Sequence, residues 1–291
     1  MPDDQLQLFG GDWTEGKLRI LERYLHDYNQ ALKNQPFTRF YVDAFAGTGY
    51  RQQPRKSLGT PSIFQDIDEQ THDFLKGSAK RALEVKPPFH RYIFIESDPK
   101  KVAELERLGK VHEEKGNAIQ VIQGDGNAYV RRFCKEMAPM DRAVVFLDPF
   151  ATEMEWQTVE EIAASKKIDV WIWFPLMAVN RLLASDPREE WRKPLDRVFG
   201  TQKWFERFYR TRVEKSIFGR SFEVVDKACD SEGVGAFFLE RLLDIFPGVA
   251  PRPRVFRNRK NAPLFQLFFA AGNEKGAPIA LRIANHLLER I

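Results

Sequence analysis

Phe40-Tyr41-Val42-Asp43-Ala44-Phe45-Ala46-Gly47-Thr48-Gly49 is the stretch on which the fold turns. Apolar residues lead as a short strand, an acid closes it, and two glycines let the backbone bend tightly and approach a bulky ligand. The pattern recurs. Tyr92-Ile93-Phe94-Ile95 runs into Glu96, Ile119-Gln120-Val121-Ile122 into Gly124-Asp125-Gly126, and Ala143-Val144-Val145-Phe146-Leu147 into Asp148-Pro149-Phe150. A fifth strand, Val170-Trp171-Ile172-Trp173-Phe174, ends at Pro175. Amphipathic stretches lie between: from Thr60-Pro61 to about Val85, around Val102, Leu105 and Leu108, and over residues 127–137. Apolar strands alternating with such helices predict an α/β protein, a doubly wound and mostly parallel sheet covered on both faces.

Outward from that core, Thr14 is placed to cap a helix whose Leu18, Leu21, Leu25, Tyr28 and Leu32 repeat at helical spacing until Asn34-Gln35-Pro36. From about Asn180 to Arg220 the alternation breaks, and the stretch reads as a helical insertion. A helix over 233–246, a strand around Arg254-Val255-Phe256, a strand over 264–270 and a last helix complete the chain. The division is therefore 1–179 as N-terminal helix and main α/β core, 180–221 as insertion, and 222–291 as the rest of the core with a closing hairpin and helix.

Composition bounds the function. With 291 residues, 43% hydrophobic and 13% aromatic, a full core is expected. Cys134 and Cys229 stand far apart, which excludes a disulfide scaffold and zinc sites of ordinary ligand spacing, so no metal is expected. The opening Met1-Pro2-Asp3-Asp4 lacks signal-peptide character, and the apolar run from Val170 to Val179 is short of a membrane span. A reducing, cytoplasmic location is expected.

In open α/β sheets ligands lie beyond the carboxyl ends of the strands. A dinucleotide-binding protein would need a third glycine where Gln52 stands, and an acid ending the second strand much sooner than Glu96. Asp43 ahead of Gly47 and Gly49 would repel a pyrophosphate and suits a ligand with a positive amino group. S-adenosylmethionine carries that amine. Glu96 has two oxygens for the ribose hydroxyls, and Asp125 can accept from the adenine amine. Each acid alone also fits a carboxylate capping the next helix.

The residues resemble a known family. Trp13-Thr14 with Lys17 opening a helix, the Phe40–Gly49 stretch, Leu147-Asp148-Pro149-Phe150 and the late Pro263-Leu264-Phe265 strand look like the three-Cys-motif partner (TcmP) family over nearly the whole chain. The resemblance implies a seven-stranded, methyltransferase-type (Rossmann-like) sheet, S-adenosylmethionine as cofactor with Phe45 among its contacts, and a three-Cys-motif protein as partner. More distantly, the same stretches are similar to adenine-specific nucleic-acid methyltransferases, whose fourth strand ends in Asp-Pro-Pro-Tyr. By that likeness Lys17 lies near the cofactor carboxylate, Asp148 and the carbonyl held by Pro149 accept from the acceptor amine, and Phe150 stacks on an extruded base. Here Phe150 stands where the second proline belongs and Ala151 where the aromatic belongs.

Residues 181–220 hold 11 Arg/Lys and 6 Asp/Glu, a net +5 in a chain of net +4. Arg188, Arg192, Lys193, Arg197, Lys203, Arg207, Arg210 and Arg212 lie among Trp191, Trp204, Phe208 and Tyr209, a mixture suited to phosphate contact and base stacking in DNA or RNA, with Arg192, Lys193, Lys203, Arg207 and Arg210 the leading candidates. Trp204, Phe205 and Phe208 fit the buried side of an amphipathic helix as well. Two more basic loops, Arg51 with Arg55-Lys56 and Arg254 with Arg257, Arg259 and Lys260, would add to such a surface.

Overall fold

The computed structural model describes residues 11–47, 77–113, 118–183, 189–215, 221–258 and 260–290. Gly49, Arg51, Arg55, Lys56, Arg188, Arg259 and the first part of the helix expected from Thr60 lie outside them.

Five parallel strands form the heart of the sheet: β1 (Thr38–Asp43), β2 (Arg91–Glu96), β3 (Ala118–Gln123), β4 (Asp141–Leu147) and β5 (Ile168–Phe174). Antiparallel to β5 runs β10 (Pro263–Ala271), whose other edge carries β8 (Gly248–Val249) and β9 (Arg254–Arg257). The path is β3-β2-β1-β4-β5-β10-β8, with β9 paired to β10. The chain is thus an α/β protein with a mostly parallel, methyltransferase-type sheet, and the expected hairpin is β9–β10. The two-residue β8, hidden in the sequence beside Pro247, brings the strand count to eight.

Side-chain alternation divides the core. Val42, Val145, Leu147, Ile172 and Phe174 point to one face, beneath α4 (Gly126–Glu136), α5 (Trp156–Ser165) and α9 (Ser231–Ile245). Tyr41, Val144, Phe146, Trp171 and Trp173 point to the other, beneath α1 (Gly11–Leu32), α2 (77–84) and α10 (Ala277–Arg290). Full burial of each such side chain contributes about 1.5–3 kcal/mol. The remaining helix on that side, α3 (Pro99–Glu113), follows β2.

Two local details depart from expectation. The first helix is already formed at Gly11, the first described residue, so Thr14 lies inside α1. Within 180–220, α6 (Leu176–Leu182), α7 (Glu189–Phe199) and α8 (Lys203–Phe208) are helical, but from Tyr209 the chain is strand. There β6 (Tyr209–Lys215) pairs antiparallel with β7 (Ser221–Lys227) as a separate two-stranded ribbon, so the main sheet does not resume at 222. Val213 and Val224-Val225 favour strand over helix there.

Candidate active site

The strand order reverses between β1 and β4, the switch point where doubly wound sheets hold ligands. Ala44 N donates to Phe146 O at 3.1 Å and Ala46 N to Ile95 O at 2.8 Å, so the turn after β1 is laced to both neighbours. The Gly124 N–H donates to Glu96 O at 2.9 Å, tying the end of β3 to β2. These bonds bring Glu96, Gly47 and Asp125 together at the carboxyl end of the sheet, with Asp43 buried at the end of β1.

A cleft of about 480 Å³ opens there, lined by Phe45, Glu96, Asp125, Asn127, Glu153 and Arg197 among others. Two glycines make room. A Cβ on Gly47 would collide with the Glu96 carboxylate, and one on Gly126 with the Ala44 carbonyl. Glu96 Oε1 accepts from Asp98 N at 2.6 Å and Ser97 Oγ at 3.2 Å, whereas Oε2 is buried without a partner among the described residues. Asp125 spends Oδ1 on Ala128 N at 2.7 Å, capping α4, so the capping role and the cleft-lining role coexist in one side chain.

Deeper in lies a buried ionic cluster. Lys17 Nζ donates to Asp148 Oδ2 at 2.7 Å and lies 4.3 Å from the Trp173 ring centroid. Burial pushes the Asp148 carboxyl up and the Lys17 ammonium down, and their mutual attraction opposes both shifts. Asp43 is buried as well. Desolvation, with the nearby Asp148 charge, lifts it to about 7, against the opposing pull of the Phe45 N–H and Lys17. The sequence reading set Lys17 by the cofactor and Asp148 by the acceptor; the fold joins them in one ion pair.

Beyond Asp148, Pro149 is buried, while Phe150 presents an exposed ring and Ala151 takes a left-handed φ of 48°. Asn127 holds this loop: its Nδ2 donates to Glu153 O at 2.8 Å and its Oδ1 accepts from Glu155 N at 3.0 Å. Asn127 and Gly126 were not singled out from the sequence, and Arg197 was named there only among the basic residues of the insertion. Gly126 carried a signal in its place after Asp125; Asn127 carried none, and the place of Arg197 at the cleft depends on contacts with distant segments.

The basic segment divides. Trp204, Phe208 and Tyr209 are buried in the core and cannot stack on bases, which corrects that expectation. Phe208 packs against Phe199 and Phe237, Trp204 against Phe208 on the same side of α8, and Tyr209, the first residue of β6, against Phe205. Arg192, Lys193, Lys203, Arg207 and Arg210 are exposed. Arg192 lies 4.3 Å from the Phe205 ring centroid, and Arg207 pairs with Glu240 at 3.3 Å.

No protein-family model matches the chain, and no curated protein does. Among solved structures it is similar to a Legionella pneumophila protein of family model DUF519, at 14% identity and TM-score 0.45, over 96% of this chain and 92% of that one. It is also similar to spermidine synthase from Thermotoga maritima, at 11% identity and TM-score 0.39, over 90% and 60% of the two chains. A putative O-methyltransferase from Klebsiella pneumoniae follows at 9% identity and TM-score 0.35, over 76% and 93%. All three scores lie below 0.5, so the reading of the site rests on this chain's own residues. Among the described residues no helix is long and apolar enough to cross a membrane.

Proposed function

We propose that this chain is an S-adenosylmethionine-dependent methyltransferase of the TcmP kind acting on an amino group in a nucleic acid, adenine foremost. The observation that carries the cofactor half is Glu96: one oxygen is engaged by its own turn and the other is buried with nothing to accept from among the described residues. A buried acceptor in that state is costly until a donor meets it, and a ribose hydroxyl is such a donor. The residues present fit the cofactor further. Asp43 offers a carboxylate to its amino group, Asp125 keeps one oxygen for the adenine amine, and the cleft volume suits a nucleoside.

Bound there, the cofactor would supply a methyl group on a positive sulfur, an electrophile. The chain's part is to hold the nucleophile. Asp148 and the carbonyl held by Pro149 would accept hydrogens of an aryl amine, favouring charge development on nitrogen, while the exposed Phe150 offers a stacking face. Lys193, Lys203 and Arg210, which have no ion-pair partner among the described residues, would contact phosphates. Transfer of a labelled methyl group to DNA or RNA tests this: the unaltered chain labels the strand, and Asp148→Ala lowers the rate by about a hundredfold or more. No labelling of any nucleic acid contradicts the acceptor.

The Lys17–Asp148 pair favours a second reading. With Asp148 already neutralised by a lysine, the chain would bind the cofactor without transferring its methyl group and serve as partner to a three-Cys-motif protein. Cofactor binding with no transfer to nucleic acid, small molecule or protein selects that reading.

A further inference from the structure

Arg197 is the one basic side chain lining the cleft among the described residues, and it comes from α7. Its place is fixed from beneath. Leu195, Val198 and Phe199 are buried on the same helix, and Asp196 accepts from Trp204 Nε1 at 2.7 Å. Arg197 Nη2 donates to Thr152 O at 3.1 Å, which anchors the guanidinium to the loop that follows Asp148-Pro149-Phe150.

The surroundings make this arginine unusual. Glu96, Asp125, Glu153 and Glu155 all line the same cleft, yet Arg197 donates to a backbone carbonyl. Glu155 is engaged by Arg131 instead. A guanidinium has five N–H donors in one plane, and only one of those on Arg197 has a partner among the described residues. A flat donor group facing a cleft of acceptors complements a flat heterocycle whose rim carries both an amine and ring nitrogens.

We propose that Arg197 is a ligand-binding residue that recognises the adenine ring, its guanidinium meeting the ring while Asp125 accepts from the exocyclic amine; this rests on the reading of the cleft given above. Helix α7 then completes the nucleoside site, with Glu96 at the ribose and Arg197 at the base.

Calorimetry on the full chain tests it with two probes, S-adenosylhomocysteine and 5′-methylthioadenosine, which keeps the nucleoside and lacks the amino acid. Arg197→Ala should weaken both by about tenfold. Arg197→Lys should not restore either, because a point charge does not replace a plane. Asp43→Ala should weaken S-adenosylhomocysteine alone. Undiminished binding by Arg197→Ala, or full recovery in Arg197→Lys, overturns the proposal while the cleft reading stands. If the unaltered chain binds neither probe, the cleft reading falls and this proposal falls with it. Arg197→Gln, with the thermal midpoint of every variant, separates lost binding from lost fold.

Discussion

Lys17 Nζ and Asp148 Oδ2 meet at 2.7 Å across 131 residues of sequence, inside the protein. The pair joins α1 to the carboxyl end of β4, so the first described helix is part of the site rather than a lid over it. Trp173 and Phe146 flank the ammonium, at 4.3 and 5.7 Å from their ring centroids.

Removing one partner of this pair leaves the other charge buried. Lys17→Met is expected to cost about 3–5 kcal/mol in urea unfolding. The double change Lys17→Met with Asp148→Asn should cost less than the single one. An equal or larger loss in the double variant would show that the pair does not behave as a unit.

Asp43 sets a pH dependence. Burial and Asp148 raise its carboxyl to about 7, with Glu96 adding to the rise and Lys17 and the Phe45 N–H working against it. Below that value the group is protonated, and a ligand amine must displace the proton to gain a carboxylate. Affinity for S-adenosylhomocysteine should therefore climb from about pH 5.5 to about 7 and then level off. The folded chain also holds this proton where the unfolded chain has lost it, so the Asp43 contribution to stability falls as pH rises from about 4 to about 7. Calorimetry and urea unfolding across that range check both signs; an affinity that falls with pH would contradict the assignment.

Gly47 is a steric position. A side chain there meets the Glu96 carboxylate. Gly47→Ala should lower S-adenosylhomocysteine affinity by at least about tenfold while circular dichroism stays unchanged, because the collision is with a side chain that can swing away from its binding pose. Unchanged affinity would remove Glu96 from the site.

The basic segment separates by burial. Phe208→Ala should destabilise the chain by about 3–5 kcal/mol, a core effect. Lys193→Ala and Arg210→Ala should leave stability within about 0.5 kcal/mol. Each should reduce the salt dependence of nucleic-acid binding by about one charge, measured by titration at two ionic strengths. Binding that does not weaken with salt would contradict a phosphate-tracking surface.

Much of this was legible in the sequence because strand ends are local. Each apolar run ending in an acid marked a sheet position, and the structure puts Glu96 and Asp125 in the cleft lining with Asp43 buried at the end of β1. What stayed hidden was non-local. Spacing could not show that Lys17 reaches Asp148, that Arg197 turns toward the cleft, or that Tyr24 on α1 donates to Asp169 on β5 at 2.7 Å. The ribbon of β6 and β7 was missed because charges there obscured period-two patterning, and the aromatics of α8 fitted a core and a binding face equally until packing decided.

The central claim is that Glu96 holds a ribose in the cleft beside Gly47, and a crystal grown with S-adenosylhomocysteine tests it most directly. The expected result is density for the nucleoside with its ribose hydroxyls within hydrogen-bond distance of the Glu96 carboxylate and its amino group near Asp43. A ligand seated elsewhere on the sheet, or a cleft that stays empty at saturating concentration, would contradict it.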